Sequence, residues 1–137
     1  MKKLFIIALV LFNIHATVGQ SDFEQVGQTL KLYINGTANG EPNEVVKAFH
    51  QDLNLYSIRK NELHIWYGKE YIKGIKEGEK NSRKGKVISI HIVDKIANAI
   101  VEIDVPTIKR KFTDFMLLAK INNQWRIIHK AYTSQKY

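Results

Sequence analysis

The sequence contains no cysteine. That excludes disulfides, a thiolate nucleophile and a lipid-modified N-terminal cysteine, so the fold is held by burial alone. There is no H-E-x-x-H and no H-x-H, so a metal site would have to be assembled from scattered His and Asp. No G-x-S-x-G elbow and no Gly-rich phosphate loop occurs, because Gly74 and Gly78 fall inside a helical pattern. Nothing calls for a cofactor. No apolar run approaches the roughly 20 residues needed to cross a bilayer.

What is present begins with an export signal. Lys2 and Lys3 precede the apolar run Leu4 to Phe12, and small or polar residues follow to Gly19. This is the order of a secretory signal peptide. Cleavage is expected after Gly19, with Thr17 at −3, and Ala16 is the second choice. Residues 1–19 are then a cleaved leader and 20–137 a single domain, exported to the periplasm or beyond and not inserted in the membrane. Of 137 residues, 45% are hydrophobic and 25% charged, an ordinary globular balance. The formal charge is +8 and falls by two once Lys2 and Lys3 are removed.

The cations cluster at Arg59-Lys60, Lys69 to Lys86 and Lys109 to Lys111. Interleaved glutamates mark most of this charge as a solvated face, with an anionic partner as the alternative. An exported chain without a reading helix or stacking platform is not expected to bind nucleic acid.

Along the domain, Val26, Leu30, Tyr33 and Thr37 form one stripe of a helix from Phe23 to about Ala38. Ser21 or Asp22 suits its start and Asn39-Gly40 its end. Pro42 opens a second, short helix with Val45, Val46 and Phe49 as its buried edge. Leu53–Ile58 and Leu63–Tyr67 read as strands around a polar turn. Gly68 separates them from a third helix, Lys69 to about Glu79. A basic loop, 80–86, leads to strands Val87–Val93 and Ala97–Val105, the second ended by Pro106. Helices ahead of an antiparallel sheet give an α+β class.

The longest apolar segment of the domain, Phe112 to Thr133, carries an acid, Asp114. Asn122-Asn123 suits a two-residue turn, because Asn tolerates positive φ. Met116 then pairs with His129, and Asp114 shares a face with Leu118, Ile127 and His129. A three-residue turn would instead place Asp114 with Lys130 and Tyr132. The two-residue turn is favoured. A carboxylate on an apolar face needs a hydrogen bond or a cation to meet it. Asp114 is therefore either a satisfied structural group or a polar group kept for a ligand.

Four segments resemble the nuclear transport factor 2-like superfamily, within the small bacterial group labelled putative lumazine-binding proteins. They are V-x-x-T-L-x-x-Y-I-x-G from Val26 to Gly36, A-F-H at Ala48 to His50, Ala97 to Val101, and F-T-D-F-x-x-L-x-K…W-x-I-x-x-K from Phe112 to Lys130. The likeness spans the whole domain. It departs at Asn122-Asn123, where the group often has Asp-Gly, and in the basic loop. It implies a cone-shaped, strongly curved, mainly antiparallel sheet wrapped around the N-terminal helices. A cavity at the open end would hold a small, partly apolar molecule, and the sheet's outer face would form a homodimer. Enzymes of this superfamily, ketosteroid isomerase and polyketide cyclase among them, use an acidic base and polar donors in this cavity. No motif here aligns to their catalytic positions.

Candidate ligand-binding residues are Tyr33 on the helical stripe, Tyr56 and Trp66 as an aromatic wall, and Asp114 with His129. The last two would be the acid/base pair of a cofactor-independent isomerase or dehydratase, if the protein is an enzyme. His50 at a helix end and His91 on a strand are weaker candidates.

Overall fold

A computed structural model describes residues 19–137. The expected leader, Gly19 apart, lies outside the described residues. Helix α1 runs Asp22–Asn39, held at its start by a capping box. The Glu24 N–H donates to Ser21 Oγ at 3.3 Å, and the Ser21 N–H donates to Glu24 Oε2 at 2.9 Å. Such a cap contributes about 1 kcal/mol. Gly40 ends the helix at φ 68, a left-handed conformation that glycine adopts without steric cost. Val26, Leu30, Tyr33 and Thr37 are all buried, as their spacing predicts.

Helix α2 spans Pro42–Ala48 with proline in its first turn. Its buried edge is Val45 and Ala48, continued by Phe49 beyond the helix, whereas Val46 is 52% exposed. The expected edge was thus wrong by one residue, because the turn from Val45 to Ala48 brings Ala48 inward.

Strands β1 (Asn54–Arg59) and β2 (Glu62–Tyr67) form a hairpin around Lys60 and Asn61, both at positive φ. Helix α3 is only Gly68–Lys73, shorter than the apolar pattern suggests. Beyond it the chain turns back onto the end of α1, where the Gly78 and Asn81 N–H groups donate to Gly40 and Ala38.

Strands β3 (Lys84–Val93), β4 (Ile96–Val105), β5 (Arg110–Ile121) and β6 (Gln124–Lys136) follow as a meander, with a 3₁₀ turn at Pro106–Ile108. β3 begins earlier than expected, at Lys84, which pairs with Asp104. Gly85 permits this, since a Cβ there would lie 2.4 Å from Ile34 of α1.

The six strands form one curved, unclosed sheet in the order β2-β1-β6-β5-β4-β3. All neighbours are antiparallel except β1 and β6, which run parallel. The α+β class and helix-then-sheet order stand as expected. Inner-face residues at alternate positions, Ala97, Ala99, Val101 and Ile103 on β4 with Met116 and Leu118 on β5, are buried in one core with α1. Burying each large apolar side chain contributes about 1.5–3 kcal/mol.

The β5–β6 turn has the expected two residues, so Ile121 pairs with Gln124. The ladder does not stay regular. Leu118 faces Ile127 but Leu117 faces His129, leaving Ile128 as an extra residue in a bulge. Beyond it Met116 pairs with Lys130 and Asp114 with Tyr132. The expected Met116–His129 pairing is therefore corrected. The bulge reproduces the face assignment of the rejected three-residue turn.

Candidate functional site

Asp114 is 1% exposed on the inner face, and Lys130 on the neighbouring strand is 3% exposed. Tyr33 comes from the middle of α1 and is fully buried. The three meet. The Tyr33 hydroxyl donates to Asp114 Oδ2 at 2.8 Å, and Lys130 Nζ lies 2.9 Å from the same oxygen. Lys130 Nζ also donates to the Tyr33 hydroxyl. An ammonium, a phenol and a carboxylate thus close a triangle, with both Asp114 contacts on one oxygen. Aromatic faces surround the ammonium, the Tyr33 ring at 4.6 Å, Tyr132 at 5.4 Å and Tyr71 at 5.5 Å. Cation–π attraction replaces part of the lost hydration.

Burial first, and then the Asp114 carboxylate, hold the Tyr33 phenol well above its ordinary value of 10.0. Tyr33 is therefore a proton donor throughout the physiological range. For Arg83, burial opposes the charge, but Tyr71, Tyr33 and Asp114 outweigh it and raise its pKa. Its guanidinium stays charged at the edge of the triangle.

Above the triangle opens a cavity of about 890 Å³. Leu55, Trp66, Ile108 and Phe112 give it apolar walls, while Asp114, Lys130, Arg83 and Ser57 supply polar surface. Trp66 packs edge-on against Tyr71 at 5.1 Å. Ser57 Oγ and Arg83 Nε are buried atoms with no hydrogen-bond partner. Buried polar atoms are nearly always paired, so two orphans lining one cavity are notable.

Of the residues chosen from sequence, Trp66 and Asp114 line this cavity, and Tyr33 lies behind it, bonded to Asp114. His129 and Tyr56 do neither. The bulge turns His129 to the outer face, where its ring stacks on Tyr56 at 4.7 Å. The Asp114–His129 pair is thus corrected to Asp114–Lys130–Tyr33. Nor is Tyr56 part of an inner aromatic wall with Trp66. Tyr56 faces Ile65 and Trp66 faces Leu55, adjacent register positions whose side chains take opposite faces. His50 lies outside this cavity, its Nδ1 accepting from the Asp52 N–H at 3.3 Å. His91 is exposed on β3. Sequence reasoning missed Lys130, Arg83, Tyr71 and Ser57. Lys130 was visible only through the other turn length. Among the described residues no cluster of His, Cys, Asp and Glu has the makings of a metal site.

The sequence pattern of the family described as "Putative lumazine-binding" matches residues 21–133. The chain belongs to that family. Its fold is nuclear transport factor 2-like. A protein of that fold from Shewanella baltica, of unknown function, superposes with a TM-score of 0.73 at 20% identity, covering 84% of this chain and 94% of that one. Another, from Methylobacillus flagellatus, gives 0.73 at 25% identity, covering 87% and 96%. A cystatin-like domain from Nostoc punctiforme gives 0.64 at 15% identity, covering 85% and 78%. The chain is also 24% identical over 120 residues to the aldolase FrzH of a Cladobotryum species, spanning 85% of this chain and 94% of that protein.

Proposed function

We propose that this family member is an exported carrier or sensor of a small molecule, held in the cavity above the Asp114–Lys130–Tyr33 triangle. One observation carries the reading. The cavity is large enough for a bicyclic ligand, and it sets the apolar walls Leu55, Trp66, Ile108 and Phe112 against the polar groups of Asp114, Lys130, Arg83 and Ser57. Asp114 and Lys130 form the floor, with Tyr33 holding Asp114 from behind, and Trp66 is the aromatic wall for a planar ring. No helix among the described residues is long and apolar enough to cross a membrane. Two copies pair through the outer sheet face, where Phe115 and Leu117 are 48% and 42% exposed. Native mass spectrometry of the protein purified from its own host tests this directly. A co-purifying small molecule on a dimer is the expected result. A ligand-free monomer that takes up nothing from a metabolite extract would overturn it.

A second reading has its own observation, the buried triangle together with the aldolase among the relatives. Lys130 lines the cavity and its Nζ is the donor that would polarise a carbonyl oxygen, while Tyr33 holds Asp114 from behind. Asp114 is the group to take a proton from the adjacent carbon, as aldol and isomerase chemistry both require. His129 has no part in this scheme. Deuterium exchange into ketones or aldehydes, lost in Asp114→Asn, would favour it. Equal exchange in the two proteins would exclude it.

A further inference from the structure

Within the reading of the cavity as a ligand site, the charges around it specify what the ligand carries. Lys130 is matched by Asp114. Four further cations line the same cavity, Arg59, Arg83, Arg110 and Lys136, and Asp114 is the sole acid among the lining residues. Among the described residues none of the four makes an ion pair.

The positions of these cations are organised. Arg59 ends β1, Lys136 ends the parallel strand β6, and Arg110 begins β5 opposite Lys136. All three therefore stand at one end of the sheet. Neutral groups hold the two guanidiniums in place, Arg59 Nη2 donating to the Tyr132 hydroxyl at 3.3 Å and Arg110 Nη1 to Ser134 Oγ at 2.8 Å. Such partners position a cation without cancelling its charge. Deeper in, Arg83 Nε and Ser57 Oγ are buried without partners, Ser57 being only 9% exposed. An orphaned donor and an orphaned hydroxyl lining one cavity suit an oxyanion that accepts from them.

We infer that the ligand is a small anion, an apolar or aromatic body bearing a carboxylate or phosphate. Its acidic group sits on Arg83 and Ser57, and Arg59, Arg110 and Lys136 draw it in. Focused positive potential in a low-dielectric cleft raises both affinity and association rate for such a molecule.

Two fluorescent probes with the same aromatic body test this, 1-anilinonaphthalene-8-sulfonate and the neutral N-phenyl-1-naphthylamine. The sulfonate is expected to bind at least tenfold tighter, and less tightly as salt is raised. Arg83→Gln, and the double variant Arg59→Gln with Arg110→Gln, should each weaken the sulfonate at least fivefold and leave the neutral dye unchanged. Lys95→Gln, at the far β3–β4 turn, should change neither. Ser57→Phe fills the cavity and should abolish binding of both dyes in a protein with unaltered circular dichroism. Benzoate displacing the sulfonate identifies a carboxylate site, and phenyl phosphate displacing it a phosphate site.

Equal affinity for the two dyes, lost in Ser57→Phe, would keep the cavity as a ligand site and overturn its preference for anions. Failure of both competitors at millimolar concentration would do the same. Binding of neither dye would remove the ligand-site reading itself.

Discussion

The two faces of β5 and β6 invert the usual arrangement. The inner face, which meets the core, buries an acid and an amine, while the outer face leaves Phe115 and Leu117 open to solvent. Each inner charge is met by a named partner, whereas the outer aromatics Tyr56 and His129 meet mainly each other. The desolvation cost of charge, taken by itself, would place them the other way round. The difference indicates that the inner face is shaped for something polar that enters, and the outer face for something apolar that covers it.

The largest effect should come from breaking the inner triangle. Asp114→Asn leaves the Lys130 ammonium buried without its counter-charge, and losing one partner of a buried pair costs about 3–5 kcal/mol. Urea unfolding of the variant should show that drop. Replacing both partners, as Asp114→Leu with Lys130→Met, should recover most of it, since an apolar pair of similar volume is often neutral. A single variant that loses less than about 1 kcal/mol would mean that water already reaches the pair.

Alkaline pH probes the same triangle without replacing the carboxylate. The Tyr33 phenol is raised above its unfolded value of 10.0. Its contribution to stability is therefore fully present below pH 10 and is lost as pH rises toward the folded pKa. Over that window stability should fall by about 1.4 kcal/mol per pH unit from this group. In Tyr33→Phe this component of the slope should vanish, as urea titrations at successive pH values would show. An identical slope in the two proteins would assign the alkaline loss to the lysines.

On the outer face the expected consequence lies in association rather than folding. Phe115→Lys with Leu117→Lys places two charges on the proposed dimer surface and should weaken association at least tenfold, about 1.4 kcal/mol. Sedimentation equilibrium reads this, while the melting temperature of the monomer should barely move. A dimer unaffected by both substitutions would place the contact elsewhere.

How far the inner face could be read from sequence depended on a single residue. The stripe on α1 and the Ser21 cap follow from local spacing and chemistry, so Tyr33 was placed correctly. Asp114 announced itself as an acid in an apolar run, and the turn at Asn122-Asn123 was read with its true length. Everything beyond Ile128 was then misassigned, because a bulge has no reliable signature in side-chain order, and one extra residue exchanges Lys130 for His129. Arg83 was passed over for a different reason. It sits in a basic loop whose charges look solvated, and the bonds of Asn81 to the end of α1 and the close approach of Gly85 to Ile34 carry that segment against the core. The outward position of Tyr56 was available in principle, since it alternates with Leu55 and Ser57, both buried.

The smallest effect follows from that exchange and separates the faces most cleanly. His129 stacks on Tyr56 at an interplanar angle of 18°, and such a pair contributes about 0.5–1.5 kcal/mol beyond its area. His129→Ala should therefore lower stability by about 1 kcal/mol or less, since both rings are only partly buried. Affinity for any ligand in the cavity should not change, and neither should its pH dependence between pH 5 and 8. Dye titrations on wild type and variant across that range provide the measurement. A loss of affinity that tracked imidazole protonation would put His129 inside the cone, remove the bulge at Ile128, and return Asp114 to the partner that a regular ladder would give it.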